Sequence, residues 1–256
     1  ARQVFKELGA EVVLMGAAPD GYNINRDVGS TSPAALQSRV LSEGADAGIA
    51  FDGDGDRVQC VAADGSVVDG DELLYVITND RLQNGEAPEG VVGTLMSNLG
   101  MEQALADKGV ALERARVGDR YVLEVMAEKG WLLGGEASGH IICGDLTTTG
   151  DGIVAALQVV AAMARSGETL VALKSALHKL PQTLINVVVR DGFVLEEAEA
   201  VTAARQQVET ALGDRGRLVL RPSGTEPLIR VMIEGADAGE NQRLAESIAE
   251  AIQQSH

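Results

Sequence analysis

Short apolar runs alternate with longer stretches of helical periodicity up to about residue 180, and nothing else in the sequence limits the fold as strongly. Residues 1–9 read as the end of a helix, 11–15 (EVVLM) as a buried strand, and 48–51 (GIAF) as a second strand. A helix precedes that second strand. It starts at Ser32-Pro33, a capping hydroxyl followed by a proline at the first helical position. The theme continues with helices at 71–83, 101–108, 121–129 and 151–165 and strands at 90–96 and 112–117. Such alternation implies α/β units built on a parallel sheet. The pattern changes at Pro181. Strands are expected at 184–190, 217–220 and 228–233, with helices at 195–212 and 241–253. Two adjacent strands joined by a tight loop form an antiparallel pair, so this last part reads as a small α+β layer. The expected domains are 1–66, 67–180 and 181–256.

Composition narrows the class of protein. Apolar residues make up 45% of the 256, enough for a sizeable core, but aromatics are only 3%, so aliphatic side chains must fill it. The 38 acidic residues exceed the 21 Lys and Arg, a net charge of −17. That charge argues against nucleic acid or an anionic membrane surface as partner, since both select clustered cations. The longest apolar stretch, 153–164, is too short to span a bilayer and contains Gln158. No leader pattern opens the sequence, and a soluble, cytoplasmic protein is expected. Cys60 and Cys143 have no paired spacing, so neither a disulfide framework nor a thiolate zinc site is expected; both thiols read as inert. The sequence opens at Ala1 inside a helical pattern, which suggests a piece of a longer chain.

Three short stretches carry chemistry. Asp52-Gly53-Asp54-Gly55-Asp56-Arg57 follows the strand at 48–51. Carboxylates at alternate positions, with glycines between, let the backbone curl until all three converge. Converging carboxylates repel unless a cation lies between them, and hard oxygen ligands select Mg²⁺ or Ca²⁺. A calcium EF-hand does not fit, because its sixth position would be Arg57 and its twelfth Ala63. In Gly134-Gly135-Glu136-Ala137-Ser138-Gly139-His140, the residues Glu136, Ser138 and His140 alternate, and an extended segment would turn them to one side. A carboxylate, a hydroxyl and an imidazole suit a sugar, and the imidazole can move a proton near neutral pH. This motif lies in the glycine-rich stretch 131–150, expected to be a binding loop. A plain polar turn with a structural histidine fits the local pattern equally well.

The third stretch is Arg221-Pro222-Ser223-Gly224-Thr225-Glu226-Pro227-Leu228-Ile229-Arg230, between two expected strands. Small residues free their backbone N–H groups to form an anion nest, Ser223 and Thr225 add hydroxyl donors, and Arg221 and Arg230 add planar cations that grip phosphate oxygens. Weaker features are Gly118-Asp119-Arg120-Tyr121, a helix start that could hold an anion or where Asp119 is a plain cap, and Asn23, Asn25 and Gly29-Ser30-Thr31, which either line a cleft or shape a loop. Asp145 and Asp151 read as loop and cap residues, and His178 and His256 as surface residues.

In this order, DGDGDR, GEASGH and RPSGTEPLIR resemble the metal, sugar and phosphate signatures of the α-D-phosphohexomutase superfamily, and together they are far more specific than singly. The stretches VVGTLMSNLGME, VGDRYVLE, TTTGDGI and RPSGTEPLIRVMIE resemble the branch acting on glucosamine phosphates. The branch acting on mannose and glucose phosphates usually lacks the TTTGDGI run. The resemblance implies related three-layer α/β domains followed by a small C-terminal α+β domain. Residues 1–66 would then be the latter part of the second domain, 67–180 the third and 181–256 the fourth.

It further implies a phosphotransfer isomerase that uses Mg²⁺ on Asp52, Asp54 and Asp56 and an amino-sugar phosphate as its small-molecule partner, in the supply of cell-wall precursors. Glu136 and Ser138 would bind ring hydroxyls, and Arg221, Ser223, Gly224, Thr225 and Arg230 the spectator phosphate. His140 would be a proton shuttle, and Arg57 would position the transferring phosphoryl group. The superfamily's phosphorylatable serine sits in a Ser-His-Asn-Pro type loop, which is absent from these 256 residues. The chain alone is therefore expected to be inactive. A different hexose-phosphate mutase, or a phosphosugar-binding fragment without activity, are the alternatives.

Overall fold

The computed structural model describes residues 1–86, 88–190, 192–223 and 226–255. It divides into two compact units. The first comprises 1–97 and 101–178, the second 98–100 and 179–256.

The first unit holds α1 (Arg2–Glu7), α2 (Ala34–Glu43), β1 (Ala47–Phe51), β2 (Val58–Ala62), β3 (Val67–Val68), α3 (Gly70–Gln83) and β4 (Gly90–Thr94). It continues through α4 (Leu99–Ala106, its first two residues counted with the second unit), β5 (Ala111–Ala115), α5 (Asp119–Lys129), β6 (Leu133–Gly135), β7 (Ile141–Cys143), α6 (Gly152–Ser166) and α7 (Leu170–Lys174). One sheet has the order β5-β4-β6-β7, in which β4 pairs in parallel with both β5 and β6, while β7 runs back against β6. Every residue of β4 is buried, as a central parallel strand requires. Beneath it α3 and α6 pack together around Leu73, Tyr75, Ile77, Ala155 and Val159. Asp69 caps α3 in a reciprocal box with Glu72, whose carboxylate also takes Lys174 at 2.7 Å.

The sheet formed by the earlier strands differs from expectation. β1, β2 and β3 are entirely antiparallel, with Ile49 opposite Cys60 and Phe51 opposite Val58. The loop 52–57 reverses the chain tightly, which leaves no room for the crossover helix a parallel pair needs. Residues 11–15 form no strand. Val13, Leu14 and Met15 are exposed, because among the described residues no neighbouring strand pairs with them or covers them. Ser32 lies one residue outside the cap of α2, which falls on Pro33 without a side-chain hydrogen bond. The stretch 131–150 contains the short strands β6 and β7 rather than loop alone. α7 was not visible as a separate pattern.

In the second unit β8 (Gln182–Val188), β9 (Gly216–Pro222) and β10 (Leu228–Gly235) form an antiparallel sheet ordered β8-β10-β9. α8 (Glu199–Leu212) and α9 (Ala238–Gln253) pack on one of its faces through Val187, Val201, Val231, Ile233 and Ile248. The expected helix 195–212 is broken at Ala198 into a single 3₁₀ turn and α8. Glu234 is wholly buried at the end of β10. Arg217 Nε meets it at 2.5 Å, Gln182 Nε2 at 2.9 Å, and the Leu99 N–H at 3.0 Å. Charged groups with this many donors tolerate burial; an unpaired carboxylate here would not.

Cys60 and Cys143 lie inside strands and are buried. Burial pushes the Cys60 thiol up to about 12 and the Cys143 thiol to about 11, against 9.0 for an open thiol. A raised folded-state value stabilises fully below the unfolded value and loses that contribution as pH climbs toward the folded one. Stability is therefore expected to decline from about pH 9 upward, and neither thiol to react with iodoacetamide near pH 8 in the folded chain. Rapid native-state labelling followed by mass spectrometry would contradict this.

Candidate active site

β1 delivers the acidic loop at its end, and β2 carries the chain away from it. Within the loop the Arg57 N–H donates to Asp52 Oδ1 at 3.1 Å, closing the curl that the glycines permit. Asp52, Asp54 and Asp56 each turn one carboxylate oxygen inward, and these oxygens lie within 4.8 Å of one another. Asp56 Oδ1 is buried without a hydrogen-bond partner, an arrangement that costs free energy unless something positive meets it. Convergent hard oxygens with one buried lone pair unsatisfied fit a divalent cation of the Mg²⁺ class. Arg57 is exposed, its Nε 3.9 Å from Asp52 Oδ2, a loose ion pair that leaves the guanidinium's remaining donors open.

The loop is braced from behind. Ser30 N–H donates to Phe51 O at 3.2 Å, and Gly152 N–H to Gly55 O at 2.9 Å. Asn23 bonds with Asp20 and Ala18, so it shapes its own turn rather than facing the carboxylates. Asp151 caps α6 through Ile153 N–H and Val154 N–H, at 2.8 and 3.0 Å, as expected for a cap, and Asp145 pairs with Arg81 at 2.8 Å.

Residues 136–140 are not extended. They form the tight turn between β6 and β7, with Glu136 N–H on His140 O at 3.0 Å and Gly139 N–H on Glu136 O at 2.9 Å. The alternating side chains are therefore not lined up as in an extended strand, because β6 and β7 are antiparallel neighbours and the chain must reverse there. Glu136 and Ser138 still stay together: the Ser138 hydroxyl lies 3.4 Å from Glu136 Oε2. His140 departs from them. Its side chain is buried, its Nδ1 lies 2.9 Å from Asp56 Oδ2, and Nε2 is buried with no hydrogen-bond partner. The imidazole is thus held against Asp56 of the acidic loop.

The turn is seated directly on the strand that leaves the acidic loop. Val58 N–H donates to Gly139 O at 3.0 Å, and Gly70 N–H to Ala137 O at 3.1 Å. The helix start at Gly118 has a different use from the one its sequence suggested. Gly118 N–H donates to Glu136 Oε1 at 2.9 Å, so the positive end of α5 is taken by the chain's own carboxylate. That backbone adopts φ +127°, a value that favours glycine. Gly118 thus joins the 136–140 turn, and the sequence signal for it was the glycine just ahead of a helix.

In the second unit the 221–230 motif takes in the end of β9 and the start of β10. Gly224 and Thr225 lie outside the described residues. Ser223 N–H donates to Leu228 O at 2.8 Å, and Val189 N–H to Pro227 O at 2.9 Å. Arg221 and Arg230 face each other directly across the antiparallel pair. Like charges in that position repel, and an anion between them reverses the sign of the interaction. Arg230 Nε is buried without a hydrogen-bond partner. His178 is exposed, and His256 lies outside the described residues.

Two family models match: phosphoglucomutase/phosphomannomutase alpha/beta/alpha domain III over residues 69–180, and phosphoglucomutase/phosphomannomutase C-terminal domain over 184–251. Among curated proteins, the phosphoglucosamine mutase of Methylococcus capsulatus is 57% identical over 252 residues, covering 98% of this chain and 56% of that protein. That of Aeromonas hydrophila is 54% identical, covering 99% of this chain and 57% of that protein. The chain thus spans a little over half the length of the curated relatives it matches. A phosphoglucomutase/phosphomannomutase family protein from Burkholderia thailandensis shares the fold with a TM-score of 0.79 at 21% identity, over 99% of this chain and 57% of that one. Aspergillus fumigatus N-acetylphosphoglucosamine mutase, solved in complex with GlcNAc-6P and magnesium, gives 0.72 at 22% identity, over 89% of this chain and 57% of that one. With two models of one family side by side along the sequence and relatives of that family at more than half identity, the chain belongs to the phosphoglucomutase/phosphomannomutase family.

Proposed function

We propose that this chain supplies the metal, sugar and phosphate loops of a phosphoglucosamine mutase, which interconverts glucosamine 6-phosphate and glucosamine 1-phosphate through a phosphoserine and a 1,6-bisphosphate. The reading rests on one observation above all. The Asp52-Asp54-Asp56 cluster and the Glu136-Ser138 turn, some eighty residues apart in sequence, are joined in a single unit by Val58 on Gly139 and by His140 on Asp56. The identity to curated phosphoglucosamine mutases supports the choice of amino sugar. The magnesium and sugar phosphate of the Aspergillus complex support the ligand class.

Asp52, Asp54 and Asp56 hold Mg²⁺, which supplies neutralisation of charge on the transferring phosphoryl group. Glu136 accepts from ring hydroxyls, and Ser138 donates to or accepts from them. The 1,6-bisphosphate must be read in two orientations, so these contacts go to hydroxyls that both orientations present. Arg221 and Arg230 grip the spectator phosphate, with Ser223, Gly224 and Thr225 completing the nest. Arg57, loosely held by Asp52, meets the transferring group. Residues 1–66 belong to a second α/β domain, 67–180 to a third and 181–256 to the α+β domain. A phosphoprotein of the cytoplasm, serving cell-wall precursor synthesis, completes the proposal.

Calorimetry on this chain tests it. Glucosamine 6-phosphate is expected to bind, and Arg221→Ala to weaken that binding about tenfold or more, since each hydrogen bond to a charged group contributes roughly 1.5–3 kcal/mol. Unphosphorylated glucosamine should be almost unaffected. Equal losses for both ligands would assign Arg221 a structural role instead. Replacing Asp52, Asp54 and Asp56 together by Asn is expected to abolish Mg²⁺ binding, and a heat of binding that survives would remove the metal assignment.

A further inference from the structure

We infer that His140 is a positioning residue for the metal: its Nδ1 fixes Asp56 so that the other oxygen of that carboxylate, Oδ1, is aimed at the cation. A carboxylate only accepts hydrogen bonds, so in the 2.9 Å contact with Asp56 Oδ2 the Nδ1 of His140 is the donor. With Oδ2 held, Oδ1 remains buried and unpartnered beside Asp52 and Asp54. A side chain with one oxygen pinned has lost the rotamer freedom it would otherwise surrender on binding an ion, and such outer contacts orient and strengthen a ligand. This rests on the metal reading above and adds a residue to it.

The surroundings hold the imidazole to this task. Its side chain is 4% exposed, and Gly150 lies against the ring: a Cβ there would stand 2.3 Å from Nε2 and 2.4 Å from Cε1. Two residues on, Gly152 touches the metal loop itself. A Cβ at that position would come within 2.8 Å of Arg57 O and 2.9 Å of Gly55 O. The Gly150-Asp151-Gly152 stretch is thus shaped around His140 and the acidic loop together. Since His140 closes the turn carrying Glu136 and Ser138, its contact with Asp56 ties the acidic loop to that turn.

The test is an Mn²⁺ titration of this chain, followed by electron paramagnetic resonance, with the folded state of each variant checked by thermal unfolding. An Asn amide nitrogen can occupy the place of Nδ1, whereas that of Gln overlies Nε2. His140→Gln is therefore expected to lose about tenfold to a hundredfold in Mn²⁺ affinity, the range for outer-sphere partners of metal ligands. His140→Asn should stay close to the unchanged chain. Gly150→Ala, which keeps the histidine but displaces its ring, should fall with His140→Gln. Unchanged affinity in His140→Gln, or equal loss in the Asn and Gln variants, overturns the inference. Asp54→Asn separates the two levels: if it binds Mn²⁺ like the unchanged chain, the metal reading itself fails and the role of His140 falls with it.

Discussion

Given glucosamine 6-phosphate, Mg²⁺ and a hexose 1,6-bisphosphate, this chain by itself is expected to yield no glucosamine 1-phosphate. The reaction proposed for the whole protein needs a nucleophile that is phosphorylated between turnovers. The serines in and beside the three motifs already serve local structure. Ser138 Oγ lies against Glu136, and Ser223 sits in the β9–β10 hairpin with its N–H on Leu228 O. Ser30 Oγ is buried behind the end of β1, and Ser97 Oγ accepts from Thr94 N–H at 3.0 Å. Orientation and electrostatic stabilisation accelerate a transfer only when its donor exists, so these loops can bind without turning over. A coupled assay for glucosamine 1-phosphate, with mass spectrometry for phosphoserine, reads this directly. Sustained turnover from a preparation free of longer relatives would show that a serine of this chain is the donor.

Replacing Gly139 by Ala is expected to cost the chain several kcal/mol and its ordered site together. The residue sits at φ +94°, where an L side chain is strained by about 1–3 kcal/mol. A Cβ would also come within 2.0 Å of Val58 O and 2.8 Å of Val58 C. Those atoms are strand backbone, paired across the sheet to Phe51, and cannot step aside as a side-chain tip would. Overpacking of this kind adds about 1–3 kcal/mol. For a molecule of this size the sum lowers the melting temperature by on the order of 10 °C. The same shift breaks the bond from Val58 N–H to Gly139 O and carries His140 away from Asp56, so Mn²⁺ affinity should fall with stability. Scanning calorimetry that places the variant's melting temperature beside that of the unchanged chain would show that the β2 backbone yields after all.

The two residues before and after the β6–β7 turn illustrate how far local sequence reaches. Glu136 and Ser138 stood out by alternating in an expected extended run; they do stay adjacent, although in a reversal. His140 carried the same local signal and points elsewhere, because its environment comes from Asp56 and Gly150, neither of them its sequence neighbour. Gly118 read as a helix start open to any anion. Its actual occupant, Glu136, is eighteen residues away and reaches it only because β4 brings β5 and β6 into one sheet.

Periodicity, caps and motif chemistry are properties of a few consecutive residues. From them alone followed helices at 71–83, 121–129, 151–165 and 241–253, each within three residues of the α3, α5, α6 and α9 observed, together with the antiparallel pair at 217–220 and 228–233, the alternating carboxylates and the arginines around a small-residue loop. Strand direction and neighbour choice depend on what the rest of the chain presents. Residues 11–15 have the composition of a buried strand, yet only Val12 packs against the core and Val13, Leu14 and Met15 lie exposed, because β-structure is stabilised only by pairing and cover, and no described strand pairs with them. The antiparallel return of β2, the face-to-face placement of Arg221 and Arg230, and the seating of the 136–140 turn on Val58 were likewise decided by tertiary structure. Each joins backbone or charge from separate segments, and a hydrogen bond across a sheet leaves no mark on the residues immediately beside it in sequence.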